Sequence, residues 1–188
     1  MINCLKLPLS FDAAGLKSDL ARLAPDEWTP HFNKSYYEGE WSGVALRSIG
    51  GVAGQIYPDP TRNDFADTPV LARLPRIAET LEAFCCPLQS VRFLKLAAGA
   101  SIREHKDYNL GYEDGELRIH IPVQTNALVE FYLAGERVVM CEGESWYVNF
   151  NLPHRVHNRS DADRIHLVLD CVVNDWLRAQ FPPEREKH

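Results

Sequence analysis

No run of apolar residues in this chain approaches the ~18 that a membrane-spanning helix needs, so no segment reads as a bilayer span. Basic residues are outnumbered: 20 lysines and arginines stand against 26 aspartates and glutamates, a formal charge of −6. A protein that grips phosphate backbones wants a basic face, so no nucleic-acid partner is expected. Cysteine is scarce and unpatterned. The five residues Cys4, Cys85, Cys86, Cys141 and Cys171 are odd in number and show no C-x-x-C spacing. That argues against a disulfide framework or a zinc knuckle and predicts reduced, mostly buried thiols. The start, "MINCLKLPLSF", has no basic leader and no sustained apolar stretch ahead of a small-residue cleavage site, which predicts a cytoplasmic protein. Internal repeats, low-complexity tracts and a clear linker are also missing.

What is present is an ordinary globular composition, 45% hydrophobic and 24% charged over 188 residues, enough for one domain with a sizeable core. "DAAGLKSDLARLA" (12–24) and "VLARLPRIAETLEAFCC" (70–86) carry apolar residues near helical spacing and predict two short helices, the second mostly after Pro75. "EWSGVALRSIGG" (40–51) reads as a strand closing on a Gly-Gly turn, and "YPDPTRNDFADTP" (57–69) as a long loop. From about residue 88 the period changes to two. "SVRFLKLAAGAS", "ELRIHIPVQT", three runs inside "ALVEFYLAGERVVMCEGESWYVNF" and "DRIHLVLDCVV" are strand-like, and "NDWLRAQF" closes as a short helix. The expected fold is mainly β, a sandwich or jelly roll of roughly eight strands with flanking N-terminal α-helices. It forms a single domain, with supporting helices and a substrate-side segment in 1–87 and the catalytic core in 88–173.

The segment "SIREHKDYNLGYEDGELRIHIPV" (101–123) packs His105, Asp107, Arg118 and His120 into what otherwise reads as two strands and a turn. On a strand, His105 and Asp107 would point to one face. An H-x-D spacing is common by chance, and alone it describes two solvated groups at a strand end. It gains weight because "NFNLPHRVHNRSDADRIHLVLD" offers His154 and His157, either of which would complete a set of two histidines and a carboxylate. Such a set caps one face of an octahedral metal and leaves positions open, as in non-haem iron(II) oxygenases. A structural zinc site would instead be closed and usually thiolate-rich. Arg164 follows on an apolar strand, ten residues after His154. Its planar fork suits a carboxylate, so a dicarboxylate cosubstrate could chelate the metal at one end and meet Arg164 at the other. Asn33, Tyr36, Tyr37, Trp41 and Arg47 in "HFNKSYYEGEWSGVALRS" are candidate pocket residues, with Arg47 as a clamp for a substrate carboxylate. The 57–69 loop is a candidate lid. The Trp146–Tyr147 pair is expected in the core.

"HKD" followed by "RIH" and then "GESWYVNFNLPHRVHNRSDADRIHLVLD" resembles the aspartyl/asparaginyl β-hydroxylase family of Fe(II)/2-oxoglutarate oxygenases, which includes bacterial proline hydroxylases. The resemblance is specific from about Arg92 to Asp170. It implies a double-stranded β-helix, the cupin-like jelly roll. His105, Asp107 and His154 become the iron ligands, Arg164 the partner of the 2-oxoglutarate C5 carboxylate, and Arg118 and His120 groups facing cosubstrate or substrate. Trp41, Tyr36 and Arg47 fall on the substrate side, while His157 and His166 are left as structural histidines. The activity implied is hydroxylation of an amino acid, free, derivatised or within a peptide, using Fe(II), 2-oxoglutarate and O2. A small amino acid suits so short a chain better than a folded protein does. The rival readings are a cupin-like isomerase or dioxygenase that does not use 2-oxoglutarate, and a non-catalytic small-molecule-sensing barrel.

Overall fold

Along Glu116–Gln124, apolar Leu117, Ile119, Ile121 and Val123 alternate with Arg118, His120 and Pro122, and a strand sends the two sets to opposite faces. The same alternation runs through Leu88–Leu96 and Arg164–Val172. In the computed structural model, which describes residues 2–59 and 61–182, these three segments lie side by side at the centre of an eight-stranded sheet.

The elements begin with β1 (Cys4–Ser10), α1 (Ala13–Leu20), β2 (Thr29–Pro30), β3 (Tyr37–Glu38) and β4 (Trp41–Ile49). They continue with β5 (Phe65–Asp67), α2 (Pro75–Glu82), β6 (Leu88–Leu96), β7 (Ser101–His105) and β8 (Glu116–Gln124). The last are β9 (Val129–Leu133), β10 (Glu136–Val138), β11 (Glu144–Val148), β12 (His154–Asn158), β13 (Arg164–Val172) and α3 (Asp175–Arg178). The larger sheet runs β1-β11-β8-β13-β6-β4-β2, with β5 added on β4, and the smaller runs β10-β9-β12-β7-β3. The pairs are antiparallel. This is a jelly roll, mainly β with few helices.

Alternation then separates two apolar layers. The outer face of the larger sheet (Val91, Phe93, Leu117, Ile119, Ile121, Leu167, Leu169) packs on Leu16, Leu74, Ile77, Leu81 and Leu177 from the helical elements. Fully burying each such side chain is worth about 1.5–3 kcal/mol, so Ile77→Ala should cost about 2–5 kcal/mol. The inner layer joins Trp41, Leu96 and Val148 of the larger sheet to Ile102, Phe131, Leu133 and Val156 of the smaller. Pro75 occupies the first turn of α2, where its missing N–H breaks no helical bond. The buried Asp19 carboxylate accepts from the Arg76 and Ile77 backbone N–H groups there (2.7 and 2.9 Å), tying α1 to the start of α2.

Several expectations change. The jelly roll is not confined to 88–173, because β1 pairs with β11 and β4 with β6, placing strands from the first 87 residues inside the larger sheet. The closing helix expected in "NDWLRAQF" is α3, which joins the same layer through Leu177. The thiols are free but not mostly buried: Cys171 is buried, Cys4 and Cys86 are half-buried, and Cys85 and Cys141 are exposed. Tyr147 is fully buried, as expected, while Trp146 stays half-buried. No helix among the described residues is long and apolar enough to cross a membrane.

Candidate active site

The smaller sheet brings the two histidines together. His105 ends β7 and His154 begins β12, and the two sit directly opposite in the antiparallel pair, with ring centroids 4.2 Å apart. Their Nδ1 atoms contact backbone carbonyls, His105 at Arg103 (2.8 Å) and His154 at Leu152 (3.0 Å). A carbonyl only accepts, so each Nδ1 carries a proton, which leaves Nε2 as the ring nitrogen able to present a lone pair to a metal. Burial pushes His154 down to about 4, which keeps it a neutral ligand-type imidazole near neutral pH.

Asp107 lies beyond the end of β7 rather than on it. Its backbone N–H donates to the Phe150 carbonyl at 2.9 Å, and the turn carries its carboxylate back beside the rings. One ligating atom from each of His105, Asp107 and His154 falls within a mutual separation of 4.8 Å. His157 belongs to the opposite face of β12, pairing in register with Ser101 and Glu130. Asp107 Oδ2 accepts from Arg118 Nη1 at 2.7 Å, which aims the carboxylate and leaves Oδ1 nearer His105. Two imidazoles, one carboxylate and orienting partners behind each make a donor set that fits a divalent iron with open positions.

The larger sheet supplies the charge. Arg118 directly opposes Asp170 across β8–β13 and holds it through Nε (2.6 Å) and Nη2 (3.1 Å). Arg92 of β6 reaches the same carboxylate from the other side (Nη1, 2.9 Å) and donates to Ser90 Oγ (2.6 Å). Burial alone would raise Asp170, but the two guanidiniums outweigh it and hold the carboxyl well below the usual range. Burial would likewise lower Arg118, yet Asp170 and Asp107 keep it firmly charged. Phe150 lies under that guanidinium, with the ring centroid 5.4 Å from Cζ.

Arg164 differs from both. It is 2% exposed and, among the described residues, has no carboxylate partner and makes one side-chain hydrogen bond, Nη2 to His166 Nδ1 at 3.0 Å. Its buried Nε has no partner at all, and burial pushes it down to about 9. An orphaned buried donor costs about 1–3 kcal/mol, so the native state is expected to fill the position with an acceptor. Four buried side-chain polar atoms lack partners among the described residues: Asp19 Oδ1, Tyr57 Oη, His120 Nε2 and Arg164 Nε. Tyr57, His120 and Arg164 line the same cleft of about 240 Å³, which the histidines, Asp107, Arg92 and Arg118 also line. Three arginines and one carboxylate, Asp107, line it, with Asp170 paired to Arg92 and Arg118, so a divalent metal would leave it able to accept a dianion.

The mouth is aromatic. His31 stacks on Trp41 (centroids 3.6 Å, interplanar angle 9°), and burial pushes His31 down to about 4. Tyr36 lies over His105 at 5.0 Å, with Phe32 and Tyr57 completing the rim. Trp41 and Tyr36 are thus in the cleft, as is His120. Arg47 is not. A β-bulge between Ala45 and Arg47 shifts the register of β4 against β6, and the guanidinium is spent on Asp67 (2.7 Å) and the Phe65 and Leu88 carbonyls (3.0 Å each). The expected carboxylate clamp is therefore a strand staple. The expected lid also shrinks: Tyr57 and Pro58 line the cleft, Phe65–Asp67 is strand β5 on β4, and residue 60 lies outside the described residues.

The expectations missed His31, Asp170 and His166 as site residues. His166 and Asp170 could have been found from period two, because both share the face of Arg164 on β13. His31 sits on an irregular segment and carries no such signal.

Comparison with known proteins places this geometry. The family model described as aspartyl/asparaginyl beta-hydroxylase matches residues 12–173. The L-proline cis-4-hydroxylase of Rhizobium meliloti (strain 1021) is 26% identical over 164 residues, 86% of this chain. The chain spans 58% of that relative's length. Among solved structures, a 2OG-Fe(II) oxygenase family oxidoreductase from Burkholderia pseudomallei aligns with a TM-score of 0.57 at 14% identity, covering 90% of this chain and 85% of that one. A non-haem α-ketoglutarate-dependent epimerase from nogalamycin biosynthesis aligns with a TM-score of 0.55 at 15% identity, covering 90% of this chain and 76% of that one. Both structures share the fold.

Proposed function

The chain belongs to the aspartyl/asparaginyl β-hydroxylase family, and from that premise we propose that it is an Fe(II)- and 2-oxoglutarate-dependent hydroxylase of an amino-acid substrate. One observation carries the reading. The cluster of His105, Asp107 and His154 shares a cleft with a buried, unpaired guanidinium, Arg164. A metal-dependent isomerase that needs no dicarboxylate has no use for that second feature, and a sensing barrel has no use for the first.

His105, Asp107 and His154 would hold the iron, with Arg118 orienting the carboxylate. Arg164 would take the distal carboxylate of 2-oxoglutarate, its fork matching two oxygens. When bound, iron with 2-oxoglutarate and O2 supplies oxidative decarboxylation to succinate and CO2 together with transfer of one oxygen atom to a C–H bond. The protein's share is placement and exclusion of water. Phe131, Phe150 and Val156 give the cleft an apolar lining, and Trp41, Tyr36 and His31 add aromatic surface to it. Among the described residues Arg92 makes its side-chain hydrogen bonds through Nη1, so its remaining donors offer the cleft an attachment for a substrate carboxylate.

A cleft of about 240 Å³ suits 2-oxoglutarate and a small amino acid or derivative better than a folded protein. The test is a screen of free amino acids and capped short peptides, scored by succinate release together with a product gaining ~16 Da, the mass of one oxygen atom. Neither signal with any amino acid, despite tight Fe(II) binding, would sink the reading.

A further inference from the structure

His120 has a bare nitrogen where a donor is needed. A guanidinium carries donors only, so the 3.0 Å contact from Arg164 Nη2 makes His166 Nδ1 an acceptor. His120 Nδ1 lies 3.1 Å from that same atom. Two lone pairs facing each other at this distance would repel, so His120 must carry its proton on Nδ1. Its Nε2 is then a lone pair, buried and unpartnered. The ring cannot easily turn away, because Phe150 stacks on it at 5.0 Å and Phe131 lies 6.5 Å off.

An ionised carboxylate is also an acceptor only. One drawn to Arg164 enters a cleft whose other unpartnered imidazole atom offers it a lone pair. Resting on the cosubstrate reading above, we infer that 2-oxoglutarate enters this cleft together with one proton, taken up at His120 Nε2, and that His166 is the positioning residue responsible. Protonation turns Nε2 into a donor to the ligand, while Nδ1–H keeps its bond to His166.

The charged surroundings agree with this. His120 is faced by Arg118 on its own strand, Arg164 and Asp170 on β13, Arg92 on β6, and the neutral His166 ring. Burial first, and then the three arginines against one carboxylate, hold it neutral when no anion is present. An arriving dianion reverses that balance.

Calorimetric titration of 2-oxoglutarate into the protein loaded with Mn(II), near neutral pH in buffers of different ionisation enthalpy, tests the inference. Binding should take up about one proton, and Kd should weaken by up to about tenfold per pH unit as pH rises. His120→Gln supplies a neutral N–H at a similar reach, and should bind with no buffer-dependent heat. His166→Leu removes the acceptor, letting His120 carry its one proton on Nε2, and should bind with a flat pH profile. A merely structural His166 would leave the proton uptake as it was. Wild-type binding with no proton taken up would overturn the inference and leave the cosubstrate reading standing. No binding to the wild type would remove both.

Discussion

Replacing Arg164 by leucine should stabilise the ligand-free protein and abolish its response to 2-oxoglutarate. The guanidinium is buried, lacks an anion, and is pushed from 12.5 to about 9 by burial. At ~1.36 kcal/mol per unit, that corresponds to roughly 4–5 kcal/mol of desolvation in the native state. Leucine relieves this cost but forfeits the Nη2 bond to His166 and some packing. A net gain of about 1–3 kcal/mol is expected, within the range found when buried ions give way to apolar residues. For a chain of this size that is about 3–10 °C in Tm. Wild type behaves in the opposite way: 2-oxoglutarate at about 100 times its Kd should add about 2.7 kcal/mol, or about 5–10 °C, and leave the variant unmoved. Differential scanning calorimetry of the Mn(II)-loaded proteins with and without 2-oxoglutarate reads both effects. A variant that melts below wild type, with an equal ligand-induced rise in each, would refute the argument that Arg164 is an uncompensated cation kept for a carboxylate.

Asp107→Ala should abolish turnover and weaken metal binding by more than ~100-fold while the far-UV circular dichroism stays unchanged, because Arg118 keeps Asp170. Arg47→Ala should leave the KM values for substrate and 2-oxoglutarate within about twofold in steady-state assays, and cost about 1 kcal/mol in a urea melt through its lost strand contacts. Asp170→Asn strands two buried guanidiniums and should cost about 3–5 kcal/mol. The folded pKa of Asp170 lies below its unfolded value, so its contribution is complete above about pH 4 and is lost only as pH falls through the lower folded value. Urea melts across that range should show a constant gap between variant and wild type above about pH 4 and a narrowing one below.

Part of this site could be read from strand alternation, while the choice of His154 over His157 and the roles of Arg118 and His120 came from the family resemblance. Arg118 with His120, and Arg164 beside an apolar run, stood out because a polar residue every second position on a core strand demands a polar interior. Asp170 did not stand out, since a carboxylate near a strand end looks solvated until two arginines are seen to close on it. Arg47 was misread for a different reason: one extra residue in β4 re-aims it, and a bulge leaves no mark on apolar periodicity. Strands β2 and β3 are two residues each, too short to show a period. The split between a supporting segment and a core failed because β1 and β4 join the larger sheet by contacts distant along the chain.

The two-faced character of β6, β8 and β13 also bears on how the chain reaches its native state. A slip of one residue in any of these pairings would swing Arg92, Arg118, His120 or Arg164 into the layer beneath the helices and lift leucine and isoleucine into the cleft. Each misplaced polar group would lose the partners it has on the cleft side, so the wrong pairing would be penalised. The groups proposed to serve chemistry therefore also proofread the assembly of the fold. A chain with these inward positions made apolar should still collapse, but would lose the signal that selects one strand alignment over its neighbours.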